Sequence, residues 1–188
     1  MSKQKLLLIT VLSLIVITMI GITSAYFATS ERSHNVITTS GVTVELLETA
    51  VDANGHTVPF ENITNAIPGN TYSKIPQVKN TDASDTWVRI RPIITASASD
   101  GSSLPVPDGA LIINYDTTDW LKQGDYYYYH SALASDQLTT PLFTEVTIKS
   151  DLPDNYKNAK FNLTLSVGAV QSANNGTDVL SAEGWPEE

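Results

Sequence analysis

The sequence predicts an all-β protein, a sandwich or barrel, set behind an N-terminal export signal. Three observations predict it. After Ala25 there is no second long apolar run and no helix-length amphipathic pattern; short Val/Ile/Thr/Leu/Tyr-rich runs recur instead, separated by Pro, Gly, Asn and Asp, as in all-β folds. Several of these runs alternate apolar and polar residues, which puts one face of each strand in a core. Lastly, Lys3 and Lys5 precede an uncharged apolar run, Leu6–Ile22, closed by the small residues Thr23-Ser24-Ala25. Basic, apolar, small is the order of a secretory signal.

The elements follow in order. Residues 1–25 are the signal, expected to be helical and to be cut between Ala25 and Tyr26. Its apolar run lies at the short end of the roughly 17–25 residues that span a bilayer, so an uncleaved anchor is the alternative. The small residues at the junction and the lack of a basic flank beyond it favour cleavage. Residues 26–40 form an arm, apolar at Tyr26, Phe27, Val36 and Ile37 and without a turn signal. From residue 41 to 188 one domain is expected, long enough to bury a core. Gly41 opens the alternating strand Val42–Leu46; Asp52–Gly55 and Ile67–Asn70 are turns, the second with Pro68 and Gly69 at its corners. Lys74–Lys79 reads as a strand whose Pro76 suggests a sheet edge. Trp87–Ile94 sets Val88 and Ile90 on one face and Trp87, Arg89 and Arg91 on the other. Ser97–Gly109 is a surface loop. Ala110–Tyr115 is a strand, Asp116–Asp119 a turn, Tyr126–Tyr129 a strand, Ser135–Gln137 a turn and Pro141–Ile148 a strand. Asp151–Asn158 is a loop and Phe161–Val170 a strongly alternating strand. Gln171–Glu188 is a polar tail with one helical turn at Asp178–Glu183.

Composition excludes several functions. The chain carries 11 Lys and Arg against 20 Asp and Glu, a net of −9. Loss of Lys3 and Lys5 deepens it to −11, from 9 against 20. Such a surface repels nucleic acid and anionic lipid. Cysteine is absent, so neither a disulfide nor a thiol takes part. His34, His56 and His130 are the three histidines, and none stands in a His-Glu-x-x-His zinc helix. There is no Gly-x-Ser-x-Gly elbow, phosphate loop or dinucleotide fingerprint. The pairs Asp82/Asp85, Asp116/Asp119 and Asp151/Asp154 have the chemistry for Ca²⁺ but are expected as turn formers. Asn62, Asn162 and Asn175 open Asn-x-Thr glycosylation patterns, of which only Asn175 lies clearly in a loop. Tyr126 and Tyr128 point one way and Tyr127 and Tyr129 the other. They form either a strand with two half-buried and two outer rings or an aromatic platform for a sugar or a partner strand. No catalytic residue, metal ligand or cofactor is assigned, and the expected location is extracellular.

Read in order, five pieces carry a resemblance. They are the junction Thr23-Ser24-Ala25-Tyr26-Phe27, the first strand Thr39-Ser40-Gly41-Val42-Thr43-Val44-Glu45-Leu46, and Ile67-Pro68-Gly69 before Val78-Lys79-Asn80. Trp87-Val88-Arg89-Ile90 is the fourth, and Tyr126–Tyr129 with Thr140-Pro141-Leu142-Phe143 and Phe161–Gln171 the last. The chain resembles the exported family of TasA and camelysin, whose members use a SipW-type signal peptidase. The resemblance implies a jelly-roll-like antiparallel β-sandwich serving as a biofilm-matrix or cell-surface fibre subunit. It also implies self-association into filaments, by donation of the freed N-terminal segment as a strand to the next subunit, with a SipW-type peptidase as export partner. Strand addition takes affinity from main-chain hydrogen bonds, and head-to-tail donation does not close, so it makes filaments. In this chain Tyr26 and Phe27 would be the anchors and Val36 and Ile37 the second contact. The metallopeptidase label that some members carry is not transferred, because the zinc helix is missing; that activity is the weakest alternative. The other alternative is a monomeric secreted module that binds matrix polysaccharide through Tyr126–Tyr129 or Trp120.

Overall fold

Alternation drives the first sheet. The computed structural model describes residues 36–39, 41–64, 66–156 and 158–186. Strand β1 spans Val36–Thr39 and β2 spans Val42–Val51. In β2, Val42, Val44 and Leu46 are buried while Thr43 and Glu45 between them are half-buried. β1 pairs antiparallel with the start of β2, Thr39 opposite Val42 and Val36 opposite Glu45. After a turn in which the Asp52 carboxylate accepts the Asn54 and His56 amides, β3 (Thr57–Pro59) returns to the far end of β2. β4 (Thr71–Ser73) and β5 (Ile75–Asn80) follow the Pro68-Gly69 turn, and β5 takes the other edge of β2.

The second sheet is built on β6 (Thr86–Ser97), beside which β7 (Ser103–Leu104) forms a short pairing. β8 is Leu111–Ile113, β9 Trp120–Gln123, β10 Tyr126–Tyr129, β11 Glu145–Ile148 and β12 Lys160–Gln171. β12, β6, β10 and β9 lie in that order; β4, β11 and β8 form a third, smaller sheet. Every pairing between these strands is antiparallel. One hydrophobic core receives Val44 and Val78 from the first sheet, Ile90 and Val167 from the second and Val146 from the third. A second cluster joins Trp87 and Val170 to Val179 and Ala182 of the tail. The chain is therefore all-β and antiparallel among the described residues, with a 3₁₀ turn at Asp154–Tyr156.

Several local expectations change. Pro76 does stand on an edge strand, since among the described strands β5 pairs with β2 alone, but that edge is covered: Pro76 is fully buried and its carbonyl accepts the Leu142 amide at 3.1 Å. The missing Pro76 N–H falls on a neighbour, residues 137–142, that is not a regular strand, which is why a proline is tolerated there. The strand expected at Pro141–Ile148 begins only at Glu145. The tail carries a turn rather than a helix at Asp178–Ser181, where the Ser181 amide bonds Asp178. The signal, its expected helix and the cut at Ala25-Tyr26 lie outside the described residues, as do Phe27 and His34. Among the described residues no helix is long and apolar enough to cross a membrane.

Candidate functional site

β6 is an inner strand of the second sheet, between β12 and β10, and its two halves have different surroundings. Val88 and Ile90 enter the main core, while Trp87 and Arg89 face the opposite side, as alternation requires. That opposite face is not open to solvent. The tail crosses it, and Gly168 leaves the room: a Cβ there would come within 3.1 Å of Pro186 and 3.2 Å of Arg89. The Arg89 guanidinium lies 4.1 Å from the Tyr126 ring centre and 4.8 Å from that of Trp185, and donates to the Pro186 carbonyl at 2.9 Å. Desolvated cation–π pairs of this kind stabilise by about 2 kcal/mol. The Trp87 indole N–H donates to the Asn175 carbonyl. The Asn175 amide in turn donates to the Gln171 and Glu183 carbonyls and accepts from the Glu183 amide. The Asn175 side chain is thus a structural bracket that holds the cap closed.

The four tyrosines divide as alternation predicts. Tyr127 is buried in the main core and Tyr129 packs against it. Tyr128 packs on the tail, with its ring 5.6 Å from Trp185, and Tyr126 sits beneath Arg89. The four rings do not share one exposed face. Trp120, the other aromatic weighed for sugar binding, is buried and donates to the Thr140 carbonyl. Val36 and Ile37 lie in β1, opposite Glu45 and Val44 of the same chain; Tyr26 and Phe27 are outside the described residues.

Beyond Ile90 the second half of β6 opens. β10 pairs with it at Arg89 and Ile90 and β7 at Ala96 and Ser97. β12 occupies the other edge for the whole length, so β10 and β7 share one edge and, among the described residues, no strand pairs with the stretch between them. A groove of about 490 Å³ lies there, lined by Arg91, Pro92, Ile94, Tyr115, Lys122 and Tyr127 among others. Tyr115 stacks on Tyr127 at 4.3 Å between ring centres. Burial, with the adjoining Tyr127 hydroxyl, pushes the Tyr115 hydroxyl well above its ordinary range, and burial raises Tyr127 too. Both phenols stay neutral and serve as hydrogen-bonding apolar walls.

Other candidates stay apart. His56 stands 3.6 Å from Asp52 and His130 3.9 Å from Asp119, each at a separate turn. Asp82 and Asp116 accept backbone amides two residues on, as turn formers do. Hydrogen bonds from His56 and from Ser102 lower Asp52 and Asp100 below the usual carboxylate range. Among the described residues no group of three His, Asp or Glu gathers to hold a metal. Comparisons with protein-family models, with curated proteins and with solved structures return no match. Of the groove residues the sequence singles out Tyr127 as a binding candidate; the others carry no pattern except Pro92 in the middle of an otherwise regular strand.

Proposed function

We propose that this chain is an exported structural subunit of a biofilm-matrix or cell-surface fibre. Its body is a jelly-roll-like β-sandwich, and assembly proceeds by donation of N-terminal residues to a neighbour after cleavage at Ala25-Tyr26. The observation that carries the reading is the entry of the chain into its fold. β1 follows the apolar export-type segment in sequence and lies on an edge of β2, so the segment that cleavage would free is joined in sequence to an edge strand. The first and second sheets share one core, to which the smaller third sheet adds Val146, and this supports the sandwich. Because Val36–Thr39 pair within their own sheet, the reaching part narrows to Tyr26–Asn35, with Tyr26 and Phe27 as anchors. The tyrosine run gives no such support to polysaccharide binding, since its rings are spread over two packed faces.

The experiment is electron microscopy of purified protein beginning at Tyr26 beside protein beginning at Val36, which keeps β1. Filaments from the first and monomers from the second are expected. Equal polymerisation by both refutes strand donation from this segment.

A further inference from the structure

Pro92 fixes which way the backbone of β6 faces. The ladder between β6 and β12 runs unbroken from Thr86 opposite Gln171 to Ser97 opposite Lys160, and Pro92 stands opposite Leu165. A proline has no N–H to give, so this pair must be of the non-hydrogen-bonded kind. The carbonyl of Pro92 therefore points away from β12. By the two-residue repeat, so do the N–H and carbonyl of Ile94. They point to the edge where, among the described residues, no strand pairs with β6 between Ile90 and Ala96.

The side chains tell the same story. Val88, Ile90, Ala96, Pro92 and Ile94 belong to one row of β6, the row that faces the core. The first three are 0%, 0% and 4% exposed, whereas Pro92 and Ile94 are only half-buried. Inward-facing residues lose their cover where the sheet lacks a strand between β10 and β7. The groove beside them, walled by Tyr115 and Tyr127, is where that strand would lie.

We infer that this edge of β6 is an acceptor for an extended strand, and that its occupant is Tyr26–Asn35 of a second copy. The inference rests on the assembly reading above and adds the docking place. The gap from Arg91 to Thr95 asks for about five residues of guest strand, roughly 17 Å at about 3.3 Å each. Tyr26–Asn35 is twice that length and is tethered at β1, so it can both reach and fill the gap. Its Tyr26-Phe27-Ala28 end brings the aromatic and small side chains that would cover Pro92 and Ile94. The guest backbone would supply the strand partner that Pro92 and Ile94 lack on this edge among the described residues.

The chain has no cysteine, which makes cross-linking a clean test. Full-length secreted F27C and K122C proteins are mixed and oxidised, with I112C on exposed β8 as the comparison site. A disulfide-linked dimer joining positions 27 and 122 is expected, with about tenfold less of the 27–112 product. In the double variant F27C/K122C a ladder of linked chains is expected; a monomer closed on itself overturns the second-copy assignment. I94P removes the free N–H without touching the β12 ladder, and is expected to raise the concentration needed for filaments about tenfold. Should I94P not fold, the cross-links alone decide. Cross-linking at 112 as strong as at 122, or filaments from folded I94P at the unmodified concentration, overturns the acceptor. Filaments that require Tyr26–Asn35 but link elsewhere refute the docking place and leave the assembly reading standing. Neither filaments nor cross-links refutes both.

Discussion

The two halves of β6 share one neighbour, β12, and differ in everything else. From Thr86 to Ile90 every residue is buried. The core lies on one face, the chain's own tail on the other, and β10 pairs at the free edge from Arg89. From Arg91 to Ile94 the strand is half-buried, and a groove lies beside the edge where, among the described residues, no strand pairs with Pro92 to Ile94. The tail closes one face by Arg89, Trp185 and Asn175 acting together. Nothing equivalent among the described residues closes the edge from Pro92 to Ile94. A strand of even sequence character can thus be finished by its own chain over one half and left ready for another over the second.

The largest test of this contrast is a matched pair of truncations. Ile90→Ala should cost about 3–4 kcal/mol, as a fully buried aliphatic side chain does. Ile94→Ala should cost under about 1.5 kcal/mol, since its side chain is already half in water. Urea unfolding measures both, and equal losses would erase the distinction. A smaller effect probes the cap. Gly176 has φ of 79°, and an added Cβ would fall 2.6 Å from Ser181 Oγ and 2.9 Å from the Ala182 amide nitrogen. Gly176→Ala should therefore destabilise by about 2 kcal/mol. It should also free the Trp185 indole, read as a red shift in fluorescence, while filament formation persists. Loss of filaments without loss of stability would place the cap, rather than the groove, in assembly.

The smallest effect is on pH dependence. Tyr115 and Tyr127 both hold their protons more tightly in the fold than in the unfolded chain. Their contribution to stability is complete below about pH 10, the unfolded phenol value. It is lost as pH rises beyond that toward the folded values, because the unfolded chain releases its protons first. Thermal melts from pH 8 to 11 should fall above pH 10 and fall less in Tyr115→Phe. Identical curves would mean that the groove wall is wetter than its packing implies.

Much of this was legible in the chain. The alternation of Val42, Val44 and Leu46, of Val88 and Ile90 against Trp87 and Arg89, and of the β12 run marks their faces correctly. The turns at Asp52 and Asp116 follow from carboxylates that bond nearby amides. The cap was not legible, because Val179, Ala182 and Trp185 are spaced among polar residues without period. Their burial depends on Trp87, which is remote in sequence. The Asn175-Gly176-Thr177 pattern read as an open loop, yet the Asn175 amide is spent on two backbone carbonyls. The groove was not legible for another reason. It arises because two short strands, β10 and β7, cover the ends of a long one. Relative strand lengths are set by tertiary pairing and leave no local mark except Pro92.

Residue-resolved amide hydrogen exchange on monomer and on assembled material tests the central claim most directly. In the monomer, the Ile94 N–H should exchange rapidly while the Ile90 N–H, whose partner Tyr127 lies in β10, is protected. On assembly Ile94 should become protected and Ile90 should not change. An Ile94 amide already protected in the monomer, or still exchanging freely in filaments, would contradict the account.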